Sequence, residues 1–157
     1  MIASFADWPG FIQKAYDNLE PGGYLELHDH SFPLRCDDDT LPSDAPILKW
    51  ANLLIESTNK IGRSCAVAPK FKDMMEGVGF VDVQEKVYKW PTNSWPRDKR
   101  AKELGEWALL ASLAGVDAMT LALFTRVLGW GQEETAVFSA QVRRDMRDRS
   151  IHAYWAV

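Results

Sequence analysis

Near the amino end, Trp8, Phe11, Ile12, Ala15, Tyr16 and Leu19 recur at the three-and-four spacing of a single helix face. Asp7 can cap that helix, and Pro9 suits its first turn. The stretch Leu19-Glu20-Pro21-Gly22-Gly23 then ends it, because Pro21 cannot continue a helix and two glycines permit a tight reversal. Tyr24, Leu25 and Leu27 follow as a short apolar run that predicts a strand buried on both faces. Glu26, His28 and Asp29 fall at the carboxyl end of that run, where open α/β sheets bind ligands. Residues 30–46 hold three prolines and Asp37-Asp38-Asp39, and they predict a polar loop.

Ser43 or Asp44 would cap a second helix with an inner face of Ile47, Trp50, Ala51, Leu54, Ile55, Thr58 and Ile61, stopped at Gly62. A short third helix begins near Pro69, carries Phe71, Met74 and Met75 inward, and ends at Gly77-Val78-Gly79. Residues 80–90 alternate with period two at Val81, Val83 and Val87 and predict a strand. Pro91 and Pro96 bracket a loop, Thr92-Asn93-Ser94-Trp95. From Arg97 to about Ser150 the pattern is helical, with breaks expected near Gly115 and at Gly129-Trp130-Gly131. Glu133 and Glu134 suit the positive N-terminus of the last helix, and residues 151–157 form a closing strand-like run. The expectation is a single α/β domain in which about three strands pack with helices and an exposed sheet edge requires a partner.

Composition narrows the function classes. With 157 residues, 46% of them hydrophobic, the chain can bury a core. A formal net charge of −4 gives no support to nucleic acid or an anionic membrane as partner. Cys36 and Cys65 lie in no metal or redox spacing and read as reduced, structural thiols. No apolar run reaches the length of a membrane span, and residues 1–7 lack the pattern of a signal peptide. An intracellular protein, cytoplasmic or nuclear, is the expectation.

Five segments carry a resemblance. Residues 19–27, Leu-Glu-Pro-Gly-Gly-Tyr-Leu-Glu-Leu, resemble the entry to the fifth strand of class I S-adenosylmethionine-dependent methyltransferases. Gly77-Val78-Gly79-Phe80-Val81-Asp82-Val83 is similar to the turn into the sixth strand of that Rossmann-like fold. Residues 90–96, Leu104-Gly105-Glu106-Trp107 and His152-Ala153-Tyr154-Trp155 resemble one branch, the fungal LaeA-like secondary-metabolism methyltransferase-domain family. The resemblance implies methyl transfer from S-adenosylmethionine to a small-molecule (secondary metabolite) or protein acceptor. It implies too that residues 1–157 are the C-terminal half of the domain, a truncated form without the cofactor-binding half. In the family a glycine-rich turn after strand one and an acidic residue ending strand two hold the cofactor. Here Gly77-Val78-Gly79 precedes a strand and Gly129-Trp130-Gly131 lies between helices. Cofactor-binding residues are therefore not assigned, and independent activity is doubtful.

Each candidate has a functional and a structural reading. Glu26 or His28 could take a proton from an acceptor hydroxyl or amine, with Asp29 near the acceptor, or the three could simply hydrogen-bond a loop entry. Trp90 and Trp95 could wall an aromatic or polyketide-like acceptor, or cover the end of the helical layer. Three adjacent aspartates suit a divalent cation by chemistry but read as a solvated loop by spacing. Arg143, Arg144, Arg147 and Arg149, interleaved with Asp145 and Asp148, read as salt-bridged helix surface. The second functional class is a non-catalytic interaction module, forming a homo- or hetero-oligomer through the sheet edge or a helical face.

Overall fold

The computed structural model describes residues 3–157. Asp7 opens the first helix, α1 (Trp8–Asp17), its side chain accepting from Gly10 N at 2.9 Å, with Pro9 in the first turn. β1 (Ser31–Arg35), α2 (Pro46–Lys60), a 3-10 turn at Ala68–Lys70 and α3 (Phe71–Val78) follow. The chain continues with β2 (Lys89–Pro91), α4 (Lys99–Arg126), α5 (Gln132–Arg147) and β3 (Tyr154–Ala156). The three strands form one sheet in the order β1-β3-β2, with β3 antiparallel to both neighbours. The fold is thus α/β, as expected.

The main core lies between this sheet and α2, α4 and α5, and contains Phe32, Leu34, Trp50, Phe124, Val142, Met146 and Trp155. Within it Trp50 Nε1 donates to Thr120 Oγ1 at 2.8 Å. A smaller cluster of Trp8, Val67 and Phe71, with Phe11, Leu27 and Met74 against it, joins α1 to α3.

Several expectations are corrected. Residues 24–27 form no strand and are not buried on both faces: Tyr24 is 93% exposed. The strand expected over 80–90 shrinks to Lys89–Pro91. The reason is the ladder. β3 pairs with β2 from Pro91↔Tyr154 to Lys89↔Ala156, and Tyr88 and Val157 exchange hydrogen bonds at 2.7 and 2.9 Å. Residues 81–87 and 24–28 extend past Val157, where no described strand lies opposite them. Conversely, β1 falls inside the stretch expected to be a loop. Pro33 is compatible with it because β1 is an edge strand and its exposed Pro33 need donate nothing.

The helical region differs in three respects. The break at residues 129–131 occurs, but α4 runs unbroken through Gly115 for 28 residues. That makes α4 long and apolar enough, by length and composition alone, to cross a membrane. The expectation that no apolar run has that length is corrected. One face of α4, at Gly105, Val116, Thr120 and Phe124, packs against α2, α5 and β2. Finally, neither Ser43 nor Asp44 caps α2. The buried Asp145 of α5 accepts from Ile47 N at 3.1 Å, placing a carboxylate at the positive end of α2 from 98 residues away.

Candidate functional site: a groove beside the sheet

Segments 25–29 and 83–88 form the two walls of a groove of about 500 Å3. Its floor is Ala68, Pro69, Phe71, Lys72 and Met75 at the start of α3, and Ala156 and Val157 close one end. The first wall keeps strand-like alternation without a ladder: Leu25 and Leu27 are half-buried while Tyr24, Glu26 and His28 are exposed. α3 is terminated by Gly79 at φ +118°, a left-handed cap that turns the chain back toward the groove. Phe80 N donates to Met75 O at 3.1 Å and anchors the start of the second wall.

Glu26, His28 and Asp29 all line this groove. His28 Nε2 and Glu26 Oε1 are 2.7 Å apart, and both side chains are open to solvent. Water screens such a pair, so it orients the imidazole more than it stabilises the fold. Asp29 Oδ1 accepts from His30 N at 2.9 Å. His30, which the sequence reading passed over, packs edge-on to Trp90 and Trp155 at 5.6 and 6.2 Å. Burial pushes its pKa down, against an opposing pull from Asp29, and Nδ1 has no hydrogen-bond partner among the described residues.

Trp90 and Trp95 do not line the groove. Trp90 stands opposite Trp155 in the sheet and packs on the main core. Trp95 stacks on His152 at 4.8 Å and donates from Nε1 to Ala153 O at 2.9 Å. The loop carrying it is held rigidly: Thr92 N and Oγ1 both bond Ala153 O, and buried Asn93 donates to Met146 O and Asp148 O at the end of α5. Gly105 is needed beneath it, since a Cβ there would lie 2.1 Å from Asn93 O. Trp95 thus packs against the segment that leads into β3.

At the other end of the sheet lies a charged cluster that no local sequence signal announced. Asp37 pairs with Lys89 and accepts from Tyr154 OH at 2.7 Å. Asp38 bonds His152 Nδ1, Thr40 Oγ1 and Cys36 Sγ. The bond from Lys89 holds the Asp37 carboxyl below its usual range, helped by Tyr154, and the bond from His152 holds Asp38 well below its own. Tyr154 and Lys89 are both raised, chiefly by their bonds to Asp37. The three aspartates are exposed in a bend after β1, as the solvated-loop reading expects, and two of them also bond across the sheet. Among the described residues no group of three or more His, Cys, Asp or Glu side chains is placed to hold a metal. In the basic run Arg143 bridges to Asp117 at 2.5 Å and Arg144 to Asp145 at 3.9 Å, but Asp145 is itself buried against α2 rather than on the helix surface. Cys36 and Cys65 are both free thiols, and burial raises the pKa of Cys65.

Curated relatives bear out the resemblance read from residues 19–27 and 77–83: the chain is similar, over about 96% of its length and at 28–39% identity, to methyltransferases and LaeA-like secondary-metabolism regulators. Among them are methyltransferase pytC of Aspergillus terreus, 39% identical over 98% of this chain, and probable methyltransferase tdiE of Emericella nidulans, 36% identical over 96%. Secondary metabolism regulator LAE1 of Cochliobolus heterostrophus is 37% identical over 96%. The chain spans about half the length of each: 47% of pytC, 48% of tdiE and 50% of LAE1. No family model and no solved structure matches the chain.

Proposed function

We propose that this chain is the acceptor-side portion of a class I S-adenosylmethionine-dependent methyltransferase domain with a Rossmann-like fold. The observation that carries the reading is the Glu26–His28 pair on the groove wall, within a segment that matches relatives named methyltransferases. With Glu26 accepting from Nε2–H, the imidazole keeps Nδ1 free to take a proton from an acceptor hydroxyl or amine, and the carboxylate stabilises the imidazolium that results. The acceptor is a small molecule or a protein side chain.

The described residues do not fit S-adenosylmethionine itself. A donor cradle requires a glycine turn between a strand and a helix, so that backbone can approach the ligand. Gly79 instead leads from α3 into coil, and Gly129 and Gly131 separate α4 from α5. The test is calorimetric titration with S-adenosylmethionine and S-adenosylhomocysteine. The expected result is no saturable heat from the folded chain, and saturable binding in a chimaera where it replaces the matching half of pytC. In that chimaera Glu26→Gln and His28→Ala lower methyl transfer by about 100-fold while cofactor affinity is kept. A folded chimaera that binds no cofactor, or variants that transfer at full rate, would overturn the reading.

A further inference from the structure

We draw no further inference here: the strongest candidate, the exposed apolar stripe of α4 at Trp107, Leu110 and Leu121, on the side of the helix away from buried Val116 and Phe124, carries nothing because nothing in the structure shows what covers it.

Discussion

The two ends of the sheet are built from the same kinds of residue and behave in opposite ways. At one end Phe32, Leu34, Tyr154 and Trp155 are buried in strands, and Asp37 and Asp38 clasp Lys89, Tyr154 and His152 across them. At the other, Tyr24, Val81 and Val87 lie open to solvent in chain that makes no ladder. Side-chain character does not separate these regions. What separates them is whether a backbone lies opposite: β-propensity describes fitness for a paired, half-buried surface, and without the pair it has nothing to act on.

The largest expected contrast is in core truncation. Phe124→Ala, at a fully buried position, should cost about 3–5 kcal/mol in chemical denaturation, whereas Val81→Ser, at an 83% exposed position, should fall within about 0.5 kcal/mol of the parent. Equal costs would mean that the open end is packed in solution. Next comes Asp145→Ala, which removes the carboxylate bonded to Ile47 N and should cost about 0.5–2 kcal/mol by the same measurement. Hydrogen exchange offers a direct view of the backbone. Amides 24–28 and 81–87 should exchange at nearly unstructured rates in the free chain while those of Trp155 and Val157 are protected.

Acid should reach the clasped end by a smaller, signed effect. Asp37 and Asp38 have depressed pKa values, so their contribution to stability is present above the ordinary carboxylate pKa of about 4. It is lost progressively as the pH falls from there through their folded values, and Asp38→Asn should flatten that part of a pH–stability curve. Lys89 and Tyr154 are shifted upward, so their contribution is present below about pH 10 and is lost as the pH rises through the folded values. The subtlest test is thiol labelling. Half-exposed Cys36 should react in the folded chain, and buried Cys65, its pKa raised, should react only on unfolding.

Much of the candidate site was legible residue by residue and little of it as an arrangement. Glu26, His28 and Asp29 were picked out at the end of an apolar run, and they do line one groove. The second wall was read as a strand, so no groove could be anticipated between the two. Trp90 and Trp95 drew attention by their prolines, yet Trp95 is fixed by Ala153 and His152, partners 58 and 57 residues away in the chain. His30 was missed because nothing local marks a histidine that will be enclosed by Trp90 and Trp155.

Local chemistry determined the helices. The α1 face, the Asp7 cap, the left-handed stop at Gly79 and the acidic first turn of α5 each depend on residues within a turn or two of one another. Such interactions are the same in any tertiary setting, so sequence suffices to read them. Strand state, the cap of α2, the clasp of Asp37 and Asp38 and the rigidity of the 92–96 loop were decided only when distant segments met. A strand is half of a hydrogen-bonded pair, and the other half is supplied by the fold.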